Sequence, residues 1–301
     1  MKYILGSGLI AFIAKKMLPE YQIIPSGKSR FYQYDIATCD DYIVCHPDVD
    51  DVIQNICGKF IPVFFKRAFS LGGDLLFAQN NAFASMWLKK SYGEFADYAP
   101  SLIKMDMFIY NISGTNIFKR IEKECIKTCA DAIRNEERIE SIDLQQKKLI
   151  LKSPNGKRMV EYDHIINTLP LNVLFKLCNI DIELSSKDLH TCVLATDDFD
   201  FEGATEVLIV DDYIDFIKCT CLGKNIYQLF YTTDIPQLSS YLQLMIKKFK
   251  LINGTCVRNS IPCGMPSDYN FDDFGIKNVG SLAQWDDLID LSTCIRILTQ
   301  I

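Results

Sequence analysis

Apolar residues in this chain gather in short runs bounded by glycine, proline and charge, and few segments hold a long helical period. Residues 2–5 predict a short buried strand, and residues 9–18 a helix that is apolar on most sides. Residues 21–24 predict a second strand that stops at Pro25. Residues 60–69 are an apolar stretch holding Lys66 and Arg67, residues 71–74 read as a turn, and residues 82–90 predict a short helix presenting Trp87. Further on, Ile117, Ile121, Cys125 and Cys129 recur at four-residue spacing on one face of a charged helix. Alternation at 138–143 and again at 148–152, followed by Ser153-Pro154-Asn155-Gly156-Lys157, predicts strands and a hairpin turn. Residues 162–170 predict a buried strand ending at Pro170, with His164 inside it as a structural residue. Four runs at 192–196, 206–210, 216–221 and 226–232 predict an antiparallel meander, and residues 241–249 a helix. Residues 276–285 lead from a strand through Gly280 towards a last helix at 287–298.

Composition narrows the class. With 301 residues, 49% apolar and 23% charged, the chain is long enough to bury a core and fits one large domain or two ordinary ones. Its 32 basic against 38 acidic side chains leave a net charge of −6, which argues against a general nucleic-acid or anionic-membrane binder. The 12 cysteines are scattered over too long a chain for a small stapled domain, and Cys57, Cys178, Cys192, Cys219 and Cys294 read as reduced core residues. Cys125-x3-Cys129 and Cys219-x-Cys221 are not CxxC knuckles, and with His46, His164 and His190 as the only histidines no zinc site is expected. Lys2 and the apolar run after it have the outline of a signal peptide, but Gly6 and Gly8 interrupt the run, Lys15 and Lys16 close it, and no A-x-A site follows. The expectation is a soluble cytoplasmic protein, because no later apolar run reaches the roughly 18–20 residues that span a bilayer.

The chemistry concentrates in the first strand-to-helix turn. Gly6-Ser7-Gly8-Leu9-Ile10-Ala11 has the spacing of a dinucleotide fingerprint: one glycine for the tight turn, one for close approach of a pyrophosphate, and a small residue for helix packing. The helix start then offers free amides and a positive dipole end to phosphate. The carboxylate that would accept ribose hydroxyls is missing, since the second strand ends in Pro25-Ser26-Gly27. Ser26 offers a weaker contact, while Lys28 and Arg30 keep open a phosphorylated nicotinamide cofactor. Asn80, Asn81, Trp87, Lys89, Lys90, Tyr92 and Tyr98 crowd together in the sequence as pocket-forming types, although aromatic residues serve equally as core.

Three separated segments, Gly6-Ser7-Gly8-Leu9-Ile10-Ala11, Arg138-Ile139-Glu140-Ser141-Ile142-Asp143 through the strand ending Asn167-Thr168-Leu169-Pro170, and Asn278-Val279-Gly280-Ser281-Leu282-Ala283-Gln284-Trp285, together resemble the flavoprotein superfamily of amine oxidases, protoporphyrinogen oxidase and UDP-galactopyranose mutase. The resemblance covers about half of the chain and implies FAD as cofactor. It places Gly6, Ser7, Gly8, Leu9, Ile10 and Ala11 at the pyrophosphate, Ile139 at the adenine, Thr168 and Pro170 beside the dinucleotide, and Gly280, Ser281, Leu282 and Trp285 in the last motif. Ser281 stands where those families carry arginine, which leaves Arg30 as the substitute cation. The implied fold is α/β: a discontinuous, doubly wound, Rossmann-like FAD domain from residues 1–40, 108–175 and 262–301, with an α+β substrate domain of antiparallel sheet from 41–107 and 176–261. The implied function is an amine-oxidase-like FAD-dependent oxidoreductase that passes hydride from a C–N or C–O bond of a small substrate to the flavin. A redox-neutral mutase, isomerase or lyase on a nucleotide-type substrate, and a non-catalytic dinucleotide-binding protein, are the alternatives. Arg67, Trp87, Tyr92 and Tyr231 are the candidate substrate contacts, with Lys89 and Lys90 as further cations for a phosphorylated substrate.

Overall fold

A computed structural model of the chain describes residues 1–25, 42–44, 55, 61–93, 103, 105–111, 127, 137–182, 184, 186–233, 235–257, 261–262, 269–284 and 291–301. Strand β1 (Lys2–Leu5) leads through helix α1 (Leu9–Met17) to strand β2 (Gln22–Ile24). Strands β3 (Tyr42–Val44), β4 (Ile61–Leu71) and β5 (Asp74–Leu76), helix α2 (Asn81–Tyr92) and strand β6 (Asp106–Asn111) follow. Strands β7 (Arg138–Asp143), β8 (Lys148–Ser153), β9 (Gly156–Glu161) and β10 (His164–Asn167) precede helix α3 (Leu171–Leu177). Next come β11 (Ser186–Lys187), β12 (His190–Ala195), β13 (Glu206–Ile209), β14 (Phe216–Gly223) and β15 (Ile226–Tyr231). Helix α4 (Leu238–Met245), strands β16 (Lys250–Val257), β17 (Ile261–Pro262) and β18 (Ile276–Asn278), and helices α5 (Ser281–Gln284) and α6 (Leu291–Thr299) complete the chain. Apart from Lys127, the helix expected at 117–129 lies outside the described residues, as does Cys57.

A four-stranded parallel sheet in the order β18-β10-β1-β2 forms the first layer system. Parallel strands are covered on both faces, so they are apolar along their whole length rather than alternating. Tyr3, Ile4 and Leu5 of β1 and Ile165 and Ile166 of β10 are buried accordingly. Helix α1 buries Ala11, Phe12, Ile13 and Ala14 and packs against α6. Its far end is closed by Lys15, whose ammonium donates to the carbonyls of Pro19 and Tyr21 at 2.6 Å each, which turns the chain back into β2. The small antiparallel sheet β7-β8-β9 adds Ile142, Leu149 and Leu151 to a core shared with Leu5, Ile165, Leu174 and Phe175. The chain thus has the doubly wound α/β unit and the antiparallel-rich second unit that its sequence implies.

The second unit is a nine-stranded mixed sheet, ordered β16-β12-β15-β14-β13-β4-β6-β3 with β5 on β4, in which only β13 and β4 run parallel. Residues 108–111, expected in the nucleotide unit, pair here as the end of β6. The expected meander holds for β13, β14 and β15, but β12 pairs with β15 and β16 instead of β13. Burial explains the difference: His190, Thr191, Cys192, Val193 and Leu194 are all buried, and a strand buried on both faces belongs inside a sheet, not at the edge that a meander would give it. Helix α4 starts and ends earlier than expected, because Phe249 and Leu251 are drawn into the sheet core with β16. Along β13, Val207 and Ile209 join the cluster beneath α4, while Leu208 and Val210 join the cluster beneath α2, so the two clusters lie on opposite faces.

Cys178, Cys192, Cys219, Cys221 and Cys294 are free thiols, and burial among them has a measurable consequence. Burial pushes Cys178 and Cys192 up to about 12, and Tyr162 likewise to about 12. Each group is neutral in the fold over a pH range in which the unfolded chain has already lost the proton. Stability is therefore complete below the ordinary thiol value of 9.0 and falls as pH rises towards 12. The unfolding free energy from urea titration is expected to drop steadily above pH 9, by up to roughly 1.4 kcal/mol per pH unit for each buried thiol, and Cys178→Ala with Cys192→Ala should flatten that slope.

Candidate functional site

The parallel sheet aligns the residues that end its strands. In register, Ile24 lies beside Leu5, Leu5 beside Asn167, and Asn167 beside Asn278, so four chain segments leave the same carboxyl edge together. That edge is where open α/β sheets bind ligands. The side chain of Asn167, fully buried, locks its end: it donates to Asn278 Oδ1 at 2.9 Å and to the Leu169 carbonyl at 3.1 Å, and accepts from the Leu169 amide at 3.1 Å. Neither Asn167 nor Asn278 stands out as a site residue in the sequence, and the only signal is a polar side chain ending each of two apolar strands.

From this edge Gly6 turns out of β1 with φ +127°, its amide donating to the Ile24 carbonyl at 3.0 Å. A Cβ on Gly6 would overlap Thr168 Oγ1. Thr168 is fixed in that position by its own bonds, amide and hydroxyl both donating to the Leu5 carbonyl at 2.9 and 2.8 Å. Gly280 has φ +118°, and a Cβ built there would lie 3.7 Å from Ile10 Cγ1 in the first turn of α1, so the end of β18 lies near that turn. The structure therefore brings together Gly6, Ser7, Gly8, Leu9, Ile10 and Ala11 with Thr168, Pro170 and the backbone of Ser281 and Leu282. Ile139 packs, partly buried, against the core beside β10. Ser26, Arg30 and Trp285 lie outside the described residues, and the described part of the β2 end stops at Pro25.

Gly8 differs from Gly6 in kind. It caps α1 in an extended conformation, φ −87° and ψ −178°, which any residue adopts, and a Cβ there would meet nothing within 4 Å. The fold does not require glycine at this position, yet the missing side chain leaves the start of α1 open. Gly8 offers no side-chain cap and no acid sits in the first turn, so the helix start keeps its positive dipole end unneutralised by its own residues. Open space, bare amides and a glycine on the exposed side suit a dinucleotide pyrophosphate. The residues present fit FAD at this point, although Ser281 supplies no cation.

The substrate candidates are not gathered into one place. Trp87 is buried beneath α2, its indole N–H donating to the Ile217 carbonyl at 2.7 Å, and Tyr92 packs edge-on against it. Tyr231 is fully buried in the other cluster and stacks on His190. Trp87 and Tyr231 thus occupy opposite faces of the sheet, and their bulk serves its two cores. Lys90 is held at the Asp211 carbonyl at 2.5 Å, and burial pulls its ammonium below the usual lysine value despite Asp211, Asp212 and Asp215 nearby. Arg67 is the exception. It lies in a polar cross-strand row with Glu206, Thr220 and Gln228, its Nε 2.5 Å from Glu206 Oε1, while Lys218 Nζ lies 3.1 Å from Glu206 Oε2. Glu206 is almost wholly buried and holds both cations on the α2 side of the sheet. Glu206→Gln should lower stability by about 2 kcal/mol in urea titration, since two charge-assisted contacts weaken at once.

His164 sits at the opposite, amino edge of the parallel sheet, beside Lys2, with the Tyr21 hydroxyl 2.8 Å from Nδ1. Burial and the Lys2 charge hold its imidazole below the usual histidine value. It keeps the structural role its sequence setting suggests. Among the described residues no group of three metal-ligating side chains occurs, and no helix is long and apolar enough to cross a membrane.

No protein-family model and no curated protein matches the sequence. Solved structures do match the fold. A reduced UDP-galactopyranose mutase superposes with a TM-score of 0.62 at 11% identity, covering 97% of this chain and 92% of that one. An oxidoreductase from Methanosarcina mazei gives 0.61 at 10% identity over 100% of both chains, and a fatty acid isomerase from P. acnes, described as producing CLA, 0.58 at 9% over 99% and 97%. Across nearly its whole length the chain therefore has the fold that these oxidoreductase, mutase and isomerase structures share.

Proposed function

We propose that this chain binds FAD across the carboxyl edge of its parallel sheet and acts as an FAD-dependent oxidoreductase, taking hydride from a C–N or C–O bond of a small molecule. One observation supports the reading above others: Gly6, Thr168 and Gly280 converge on an α1 terminus that is left bare by Gly8, a glycine the backbone itself does not need. When bound, the flavin ring supplies the two-electron chemistry. The chain's own part is to hold and to exclude. The α1 amides bind the pyrophosphate, and Thr168 and Asn167 keep the strand end rigid.

A redox-neutral reaction on a phosphorylated or nucleotide-type substrate is the second reading. Arg67 and Lys218, set on either side of Glu206, favour it, because paired cations on a rigid sheet suit an anionic substrate. The test begins with the absorption spectrum of the purified protein and of its supernatant after heat denaturation. A flavin band released on unfolding supports the reading, and a protein that stays colourless after incubation with FAD sinks it. Bleaching of that band by amines or alcohols under anaerobic conditions selects the oxidoreductase. Turnover that needs prior reduction but consumes no reductant selects the redox-neutral enzyme.

A further inference from the structure

Two buried side-chain atoms on the helices that follow β10 and β18 lack hydrogen-bond partners among the described residues. They are Oδ1 of Asn172 and Nε2 of Gln284. Asn172 follows Pro170, the residue that leads the chain from β10 into α3, and Gln284 is the last residue of the short helix α5 that opens at Gly280. Helices α3 and α5 pack against one another, so both residues lie on the pair of helices that leaves the ends of β10 and β18. Native proteins leave few buried polar groups unmatched, and an unmatched group with a chemical complement nearby is a reason to look for a ligand.

The two atoms differ in what they need. Asn172 presents an acceptor that needs a donor, and Gln284 presents a donor that needs an acceptor. A phosphate offers only acceptors at neutral pH and satisfies one of the two. A group that carries an N–H or O–H beside a carbonyl or hydroxyl oxygen satisfies both. Position says which half of a dinucleotide supplies it. In a doubly wound sheet the adenosine ribose lies at the end of β2, and the strand order here is β18-β10-β1-β2. Asn172 and Gln284 therefore stand on the other side of β1, where the half remote from adenosine extends.

We propose that Asn172 and Gln284 form a neutral amide clamp for the flavin half of the cofactor, gripping a donor–acceptor edge of the ring or hydroxyls of its ribityl chain. This rests on the FAD reading above. It also gives the chain a cofactor contact that needs no charge, in a site where Ser281 supplies none.

The experiment measures dissociation constants for FAD, riboflavin and ADP by fluorescence and calorimetric titration, together with the urea midpoint of the apoprotein. Gln284→Glu replaces the donor with an acceptor and should weaken FAD at least roughly tenfold. Asn172→Leu should weaken FAD by a similar factor, with ADP affinity unchanged and an apoprotein no less stable, because an unmatched buried oxygen has been removed. Riboflavin loses affinity in parallel if the ring or ribityl chain is the contact. Unchanged FAD affinity in Asn172→Leu/Gln284→Glu overturns the clamp, and so does an equal loss for ADP, which would move the contact to the adenosine half. A wild-type protein that binds ADP but not FAD overturns the clamp and the flavin reading and keeps a nucleotide site; one that binds neither overturns the dinucleotide site itself.

Discussion

Gly6→Ala lowers the unfolding free energy by about 3–5 kcal/mol, a large part of what holds a domain of this size folded. Two causes add. The first is conformational: φ +127° is a region that L side chains rarely adopt, which costs roughly 1–3 kcal/mol. The second is steric, since the new methyl overlaps Thr168 Oγ1, and that hydroxyl cannot rotate aside without losing its bond to the Leu5 carbonyl. A double-mutant cycle separates them. Thr168→Ala alone costs about 1 kcal/mol for the lost hydroxyl bond, and combined with Gly6→Ala it should recover the steric share and leave the conformational one. Equal urea midpoints for Gly6→Ala and the wild type would show that the turn is not built as described.

Gly8→Asp has the opposite signature. Its backbone angles suit aspartate, and an aspartate at a helix N-cap bonds the first-turn amides, so the apoprotein should gain a few tenths of a kcal/mol. The same carboxylate then occupies the amides that the pyrophosphate needs and repels it. FAD affinity should fall about 1,000-fold, near 4 kcal/mol, in a fluorescence titration. Gly8→Ala should sit between, with stability almost unchanged and a smaller loss of affinity. A Gly8→Asp protein that binds FAD as the wild type does would place the cofactor elsewhere.

The two glycines also show what a sequence can and cannot reveal. Their spacing after a buried strand is legible, because a strand covered on both faces leaves an unbroken apolar run and the turn that follows must be tight. The ends at Thr168 and Gly280 are legible for the same reason. Pairing is not: Arg67 meets Glu206 across 139 positions, and nothing local in either segment names the other. Trp87, Tyr92 and Tyr231 look like pocket residues because aromatic side chains mark both pockets and cores. Only the register of β13 shows that Trp87 and Tyr231 lie on different faces. The strand β12 misleads in a similar way, since four evenly spaced strands read as a meander until burial on both of its faces places it inside the sheet. Asn172 and Gln284 are invisible in the sequence, because what marks them is a missing partner.

The parallel sheet takes its strands from residues 2–5, 22–24, 164–167 and 276–278, and α1 leans on a helix that begins at residue 291. During synthesis the first two strands and α1 emerge more than 250 residues before their last neighbours, with the apolar Tyr3, Ile4 and Leu5 and no completed sheet to cover them. Such non-local closure is slow and exposes sticky surface while it waits. The antiparallel sheet β7-β8-β9, closed by hairpins within about 25 residues, can form during that interval and present β10 in place. Assembly of the nucleotide unit therefore waits for residues 276–278 to emerge, and nascent chains cut short before residue 276 should accumulate as chaperone-bound or aggregated species.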